Sequence, residues 1–332
     1  MSTVWMVRTQ GNPLEAIRAL LMKIWQQAGL DGMLVPAHND RESISSPLLL
    51  QDPAQLVGAD PCVPLVPVNA ARLVAQLARN QPRGRYAAVL RSCESRALTE
   101  IRQLEAIDLE NWLLIGIDCL ASFPEEDFEW RVQRAGSVDN LSQENLVHAR
   151  QGVIAAHRYR SACQMCLHPE AQESHVVICL LGLPVKEAIL VRTGDQSVAE
   201  RLRMDQITSG PADPALLAQH DQLLEKLSER RERTMERMLN NLSQDVPSDI
   251  TELIALLEGC APCRECLDAC PIYSLEVANS PDGETLTREG AIRWMMSCVS
   301  CGMCEQACPQ DMPLPVVIRR IRQNIQSEMI PA

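Results

Sequence analysis

The chain has 332 residues, 46% of them hydrophobic, so it is long enough for two globular domains that each bury a core. A formal charge of -12 argues against a nucleic-acid partner and against attachment to anionic lipids, because both need clustered lysine and arginine. The longest apolar run, residues 175–191, is interrupted by Lys186 and Glu187, and the first residues lack the apolar core of a signal peptide. We therefore expect a protein without a membrane span. A cytoplasmic, oxygen-poor setting is expected from the load of reduced cysteines rather than from any targeting signal.

The first sixty residues alternate between strand and helix. TVWMVRT predicts a strand, and Asn12, Pro13 and Glu15 then supply a helix cap, a first-turn proline and a capping-box acid. Apolar residues recur at helical spacing up to Gly29, where a left-handed helix end is expected. MLVP predicts a second strand. The next passage, ADPCVPLVPVN, holds prolines too close together for a helix and predicts an extended connection, with a helix following near 68–78.

A strand-helix-strand unit comes next. RYAAVLR and NWLLIGIDC predict two buried strands, and SCESRALTEIRQLEA between them predicts a loop that passes into a helix. Consecutive parallel strands of such a unit point the same way, so Cys93 and Cys119, each just past a strand end, are expected at one edge of the sheet. Open α/β sheets bind their ligands at that edge.

The middle of the chain predicts a hairpin and then a long helix. HVVICLLG and EAILVRT, joined by LPVK, predict two further strands. Residues 214–242 predict a charged helix that we interpret as a spacer, and the alternating acids and bases of ERRERTMER within it are typical of a solvated face. The sequence thus predicts an α/β (α+β) domain with a mixed sheet over residues 1–205, a helical spacer over 206–250 and a mainly helical domain over 251–332.

Two cysteine-rich segments in the last eighty residues share one spacing. CAPCRECLDACP begins at Cys260, and CVSCGMCEQACP begins thirty-eight positions later at Cys298. This is the spacing of bacterial ferredoxins, in which three close thiolates hold one [4Fe-4S] cluster and the fourth reaches its neighbour. Structural zinc also uses Cys-x2-Cys pairs, but it has no use for four thiols ending in Cys-Pro, twice. We therefore predict two clusters, and their ligands are Cys260, Cys263, Cys266 and Cys308 for one and Cys298, Cys301, Cys304 and Cys270 for the other.

The chain has fourteen cysteines, and six of them lie outside these two runs. Clustered cysteines in a long chain are expected to be reduced and to bind metal rather than to form disulfides. Cys163 and Cys166 form a lone Cys-x2-Cys pair, which could be a redox pair, half a metal site or chance. Together with Cys93 and Cys119, at the predicted sheet edge, they would complete a site of four sulfur atoms.

Four stretches of the chain carry a resemblance to a known family. RYAAVLRSCESRALTEI, LLIGIDCLASF, ACQMCLHPEAQESHVVICLLGLP and AILVRTGDQSVAERL are similar to the beta subunit of coenzyme F420-reducing hydrogenase and of the related formate dehydrogenases. The likeness covers about residues 25–202 and is best from Tyr86 onward. It implies that residues 1–205 form a domain for FAD and a third [4Fe-4S] cluster. The cluster ligands that it implies are Cys93, Cys119, Cys163 and Cys166.

Three departures from this family bear on function. Ser92-Cys93-Glu94 stands where the family has Pro-Cys-Gln, and HPEAQESHVV replaces an acidic-to-glycine stretch after the cysteine pair. The two-cluster module follows the flavin domain, whereas relatives often carry it in front. This module resembles the helical ferredoxin domain of heterodisulfide reductase small subunits. The resemblance therefore leaves the second substrate and the docking partner open.

The FAD prediction depends on the resemblance and on the sheet edge, because the chain has no GxGxxG fingerprint. Ser92, Ser95 and Arg96 begin the helix after the first strand of the unit, where backbone N–H groups and a guanidinium could hold a pyrophosphate. For Arg96 the alternative is an ordinary solvent-facing arginine. Further candidate FAD ligands are Gly182, Arg192 and Thr193.

These features predict a flavin and iron-sulfur electron-transfer subunit of an anaerobic oxidoreductase complex. It would pass electrons between clusters of a hydrogenase, formate dehydrogenase or heterodisulfide-reductase-like partner and a two-electron carrier, such as coenzyme F420 or NAD(P), at FAD. The alternative is a flavin-free iron-sulfur adaptor. A third hypothesis, a stand-alone reductase of an organic substrate, is disfavoured by the few tyrosine and phenylalanine residues.

No catalytic side chain stands out in the sequence. His168 could donate a proton near the flavin. Cys62 and Cys179 are interpreted as small buried residues.

Overall fold

The computed structural model describes residues 3–38, 45–80, 83–152, 159–243, 246–260, 263–273 and 287–329. Its strands are β1 (Thr3–Arg8), β2 (Gly32–Ala37), β3 (Ser46–Leu50), β4 (Tyr86–Arg91), β5 (Trp112–Ile117), β6 (Val176–Cys179) and β7 (Ala188–Thr193). They form one mixed seven-stranded sheet of order β1-β7-β6-β5-β4-β2-β3. The central strands β2, β4, β5 and β6 are parallel, and the outer pairings are antiparallel. The predicted mixed sheet is confirmed.

Helices cover both faces of this sheet. Those of the N-terminal part are α1 (Pro13–Ala28), α2 (Ala70–Asn80), α3 (Ser92–Glu105), α4 (Glu125–Ala135), α5 (Val138–Val147), α6 (Ser161–Gln164), α7 (Gln196–Arg201), α8 (Met204–Ile207) and α9 (Pro214–Asn240), with short 3-10 turns at Pro53–Gly58 and His148–Gln151. The C-terminal part holds α10 (Ile250–Gly259), α11 (Glu265–Asp268), α12 (Arg288–Ser297), α13 (Met303–Gln306) and α14 (Leu314–Met329). Within the described ranges, none of these helices combines the length and apolarity needed to cross a bilayer.

The first helix begins and ends at the residues that the sequence predicts. The side chain of Asn12 accepts a hydrogen bond from the backbone N–H of Glu15 at 3.2 Å, which caps α1. Gly29 ends the helix in the left-handed conformation, with φ of 58°. The apolar face between these two ends packs into the core on one side of the sheet.

Two core clusters divide the molecule by sheet face. On one face, α1 packs with the central strands and with Leu227 of α9. On the other face, α2 and α3 share a core with the C-terminal helices, and that core includes Leu98, Trp294 and Ile321. The C-terminal part therefore packs directly on the sheet domain rather than standing apart from it. Leu227 of α9 is fully buried, so this helix packs through its apolar residues on the sheet domain.

Three features differ from the sequence expectations. The predicted loop after β4 is absent from the described chain, because α3 begins at Ser92, directly after the strand, and Cys93 lies in its first turn. An unpredicted strand, β3, pairs with β2. The polar stretch that follows β5 contains α4 and α5, which the sequence did not predict. Local signals for both added helices are present in the chain, since α4 has an acidic first turn and ends at Gly136, and Ser137 caps α5.

We predict that Gly116→Ala lowers the free energy of unfolding by about 1–3 kcal/mol. Gly116 lies in β5 against the loop after the cysteine pair, and an added Cβ would lie 2.6 Å from Ala171 Cβ and 2.9 Å from its carbonyl oxygen. Gly58→Ala is the matched control, since its Cβ would meet the His38 carbonyl oxygen at an ordinary 3.7 Å. Denaturant unfolding measures both variants, and equal stability would contradict the close packing of this loop.

Candidate functional site

Four cysteines line one cavity at the carboxyl edge of the parallel strands. They are Cys93, Cys119, Cys163 and Cys166. Cys93 lies in the first turn of α3 and Cys119 just beyond β5, so the parallel pairing of β4 with β5 brings both thiols to the same edge. The other two come from α6 and the residues after it. We call this group the proximal site.

Loss of contact with water raises the pKa of thiols in the proximal site. Burial, followed by the charge of Glu94, raises the pKa of Cys93 well above its usual value. Burial and the neighbouring Cys163 raise the pKa of Cys119 to about 11. Such thiols remain protonated near neutral pH unless a cation compensates the thiolate charge. Iron supplies that compensation, so assembly of a cluster here would release protons.

A second group of four cysteines occupies a neighbouring cavity. Its members, which we call the middle site, are Cys270, Cys298, Cys301 and Cys304. Trp294 donates from Nε1 to the sulfur of Cys270 at 3.4 Å. Burial, followed by the charge of Cys270, raises the pKa of Cys301 to about 12. Ser300 and Cys301 line both this cavity and the proximal one, so the two sites share a wall.

A third group lies nearer the surface, and we call it the outer site. Burial raises the pKa of Cys266 to about 11, and its next largest causes are the neighbouring thiols of Cys308, Cys260 and Cys263. Cys260 and Cys263 are exposed. The fourth cysteine of each run thus lies with the first three of the other run. The structure groups the cysteines in the three sets of four that we expect, and their role as cluster ligands stays a prediction.

Guanidinium groups approach the thiols of the proximal site. Arg96 Nη2 lies 3.9 Å from Cys166 Sγ, and Arg160 Nη2 lies 4.0 Å from Cys163 Sγ. Arg231 donates from Nη1 to the Cys166 carbonyl oxygen at 2.7 Å. A cluster held by four thiolates is anionic, and these positive groups offset that charge. The side chains present therefore fit an iron-sulfur cluster at this site.

A cationic cleft of about 300 Å³ opens beside the proximal site. Its lining includes Cys166, Arg96, His168, Arg319 and Arg322. Desolvation, followed by the charge of Arg322, lowers the pKa of Arg319, and desolvation together with Arg96 lowers that of His168. The Nε atoms of all three arginines are buried without a hydrogen-bond partner among the described residues. Because Glu100 and Glu173 also line the cleft, it is mixed in charge, with the positive groups in excess.

The predicted FAD ligands divide between this region and the protein interior. Arg96 lines the cleft, and Ser92, which donates to the carbonyl oxygen of His168, lines the proximal cavity. Ser95 is buried and pairs with the hydroxyl of Ser174 at 3.3 Å. The structure therefore brings Ser92 and Arg96 to the site and places Ser95 just beneath it.

The other three FAD candidates have partners elsewhere in the chain. An added Cβ at Gly182 would lie 2.6 Å from the backbone of α9, so this glycine permits close helix packing. Arg192 forms ion pairs with Glu170 and Asp221. Thr193 is fully buried and donates to the carbonyl oxygen of Thr3 at 3.3 Å. None of the three lines the described part of the cationic cleft.

A buried polar cluster lies behind the proximal site. Asp118, next to Cys119, accepts hydrogen bonds from the N–H groups of Leu180 and Leu181 at 2.8 and 3.0 Å. His220 of α9 lies 3.6 Å from this carboxylate, and its Nδ1 atom lies 2.8 Å from the carbonyl oxygen of Leu181. Burial lowers the pKa of His220, but the nearby Cys179, Glu170 and Asp118 outweigh it and raise this pKa to about 11. This cluster ties α9 to the strand ends that position Cys119. The expected burial of Cys179 agrees with the structure, as does that of Cys62.

Sequence reasoning missed two arginines at the proximal site. Arg231 belongs to the ERRERTMER run that we expect to be solvated, yet it is only 4% exposed. Alternating charges along a helix do not reveal which single residue faces a neighbouring loop. Arg160 is also 4% exposed, and its signal was its position just before the lone cysteine pair.

Comparison with known proteins begins with the C-terminal cysteines. A family model described as a 4Fe-4S dicluster domain matches residues 259–312. This range contains every cysteine of the outer and middle sites. The C-terminal part of the chain is therefore a 4Fe-4S dicluster domain.

Two curated relatives match larger parts of the chain. The F420-dependent formate dehydrogenase subunit beta of Methanocaldococcus jannaschii is 19% identical over 95% of this chain and 90% of the relative. The family resemblance predicted from the sequence is confirmed. The acetyl-CoA decarbonylase/synthase complex subunit alpha 1 of Methanosarcina mazei is 27% identical over 165 residues, which is 48% of this chain. The matched segment spans only 19% of that relative's length.

A solved structure has a related fold. A chain of the xenon-derivatised F420-reducing [NiFe] hydrogenase complex from Methanosarcina barkeri aligns with a TM-score of 0.50 and 14% identity, covering 72% of this chain and 92% of that one. At this identity the likeness concerns the fold alone. It agrees with the predicted α/β (α+β) architecture.

We predict that Cys270→Ala removes about four irons per chain, because a [4Fe-4S] cluster at the middle site would lose one of its four ligands. Cys62→Ala is the matched control, since Cys62 is buried in the sheet-domain core and lies in none of the three groups. Iron and acid-labile sulfide assays on anaerobically purified protein measure the difference. Full iron content in Cys270→Ala would contradict the ligand assignment.

Proposed function

We propose that the chain is an iron-sulfur electron-transfer subunit of an oxidoreductase complex, with clusters at the outer, middle and proximal sites. The observation that carries this proposal is the wall shared by two cavities, since Ser300 and Cys301 line both the middle and the proximal one. A cluster bound at each site would carry one electron at a time. Sites that share a wall are close enough to form consecutive stations of one path.

The exposure of the cysteines indicates which end of this path faces a partner subunit. Cys260 and Cys263 of the outer site are exposed, whereas the cysteines of the middle and proximal sites are buried or half-buried. A cluster of a partner subunit would therefore approach the outer site first. The proximal site, at the sheet edge, would form the inner end of the path.

The second part of the proposal is FAD in the cationic cleft. Cys166 lines both this cleft and the proximal cavity, so a ligand in the cleft would lie beside the inner end of the path. The guanidinium groups of Arg96, Arg319 and Arg322 would hold the negative pyrophosphate. A volume of about 300 Å³ is at the lower end for ligand pockets, so part of the dinucleotide would extend along the open mouth. When bound, a flavin exchanges electrons singly or in pairs.

The proposed electron carrier and partner follow from the relatives. One relative is named as an F420-dependent formate dehydrogenase subunit, and the structural neighbour belongs to an F420-reducing hydrogenase complex. We infer a two-electron carrier of this kind at the flavin and a hydrogenase, formate dehydrogenase or heterodisulfide-reductase-like subunit at the outer site. Similarity of fold does not by itself determine the substrate.

A flavin-free electron relay is the second candidate function. The observation that favours it is that Gly182, Arg192 and Thr193, three of the predicted FAD ligands, have internal contacts. In that case the cleft would bind another anion or a partner side chain. Bound flavin in the purified protein distinguishes the two functions.

Purification under anaerobic conditions followed by iron, sulfide and flavin assays tests the proposed function. We expect about twelve irons, about twelve sulfides and about one FAD per chain, because three [4Fe-4S] clusters and one flavin would be present. About twelve irons without flavin would support the relay instead. About eight irons would contradict a cluster at the proximal site.

Flavin affinity tests the cationic cleft separately. We predict that Arg319→Gln weakens FAD binding about tenfold to a hundredfold, the effect of losing one charge-assisted contact, without loss of iron. Arg319 suits this test better than Arg96, which also approaches the sulfur of Cys166. Arg237→Gln on the exposed side of α9 is the matched control. Equal FAD titration curves for the two variants would place the flavin elsewhere.

A further inference from the structure

Arg160 lies at the junction between the proximal and middle sites. Its Nη2 atom lies 4.0 Å from Cys163 Sγ of the proximal site and donates to the carbonyl oxygen of Cys301, of the middle site, at 3.3 Å. Its Nη1 atom donates to the side-chain oxygen of Gln306 at 2.9 Å and lies 3.8 Å from Met303 Sδ. One guanidinium thus contacts both cysteine groups and the short helix α13 between them.

Backbone packing fixes this guanidinium in position. The N–H of Arg160 donates to the Ser122 carbonyl oxygen at 3.0 Å, and its own carbonyl oxygen accepts from the N–H of Cys163 at 3.0 Å. An added Cβ at Gly302 would lie 2.6 Å from Ala162 Cβ, so the dicluster domain packs tightly on the segment that begins with Arg160. Because the residue is only 4% exposed, water screens its charge poorly.

Arg160 brings a permanent positive charge to the junction of the two sites. A guanidinium stays protonated in proteins, and that of Arg160 lies 4.0 Å from Cys163 Sγ and donates to the carbonyl oxygen of Cys301. The nearby carboxyl of Glu305 accepts a hydrogen bond from Ser161 at 2.6 Å. The arginine is therefore the fixed positive group that faces both sites.

We infer that Arg160 is a positioning residue that raises the reduction potentials of the proximal and middle clusters together and leaves that of the outer cluster unchanged. This inference depends on the proposed function, because it requires clusters at these sites. Adding an electron makes a cluster more negative, and a fixed positive charge in a poorly hydrated region favours that reduced form. The cysteines of the outer site are absent from the described contacts of Arg160, which is why only two potentials are coupled.

The test compares Arg160→Gln with Arg160→Lys in the full chain, purified anaerobically. Iron per chain is measured first, and then each variant is titrated with dithionite while its reduced clusters are followed by EPR spectroscopy. The outer cluster signal is identified by its loss in Cys263→Ala. We expect Arg160→Gln to shift the midpoints of two clusters to lower potential and to leave the third unchanged. Arg160→Lys, which keeps the charge and loses the forked hydrogen bonds, is expected to retain most of the wild-type potentials.

A second variant keeps the inference testable if Arg160→Gln fails to assemble clusters. Gln306→Glu adds a negative charge at the atom that accepts from Arg160, so the same two midpoints should fall. It also replaces the amide nitrogen that donates to the Val66 carbonyl oxygen and to Glu125, so its iron content is measured before its midpoints. Unchanged midpoints in a charge-altering variant with full iron would overturn the inference. Equal shifts in Arg160→Gln and Arg160→Lys would also overturn it, since they would show a packing role. If the wild-type protein itself binds fewer than three clusters, it is the proposed function that fails.

Discussion

The contact between Gly302 and Ala162 joins the two parts of the chain that would carry electrons. A side chain at position 302 would collide with Ala162 at 2.6 Å, and the φ of 74° is one that glycine adopts without strain. This contact lets the second ferredoxin run lie directly on the segment that carries the lone cysteine pair. The wall shared by the middle and proximal cavities, and the reach of Arg160 to both, depend on it. A chain with a side chain here would hold the middle and proximal cavities farther apart.

Charge is distributed unevenly between the surface and these sites. The chain as a whole carries -12, yet the groups that approach the thiols and line the cleft are largely arginines. Arginine suits this position because its guanidinium stays protonated and offers several donors from one rigid plane. The acidic surface would repel unrelated anions, and the arginines would retain anionic cofactors inside. The net charge of the chain therefore does not describe the charge around the buried cysteines.

The sequence predicted the sheet and the cysteine groups because each depends on a strong local signal. Asn12 and Gly29 bound the first helix, and fixed spacing groups the C-terminal cysteines. The meeting of Cys93 with Cys119 followed from a rule about parallel strands, without knowledge of side-chain contacts. Arg231 and the short strand β3 escaped prediction, because their placement depends on which distant segment packs against them. The FAD candidates show the same limit, since Arg192 finds carboxylate partners that no local pattern reveals.

The order of segments along the chain has a consequence for how the protein is made. The sheet edge and the cysteines from Cys93 to Cys166 leave the ribosome long before Ser300 and Cys301, which close one wall of the same cavity. On the nascent chain the proximal cavity therefore lacks this wall until the last segment has been made. Docking of the last segment then closes the cavity. The position of the dicluster domain after the sheet domain thus sets an order of assembly, in which the four innermost cysteines are synthesised before the wall that encloses them.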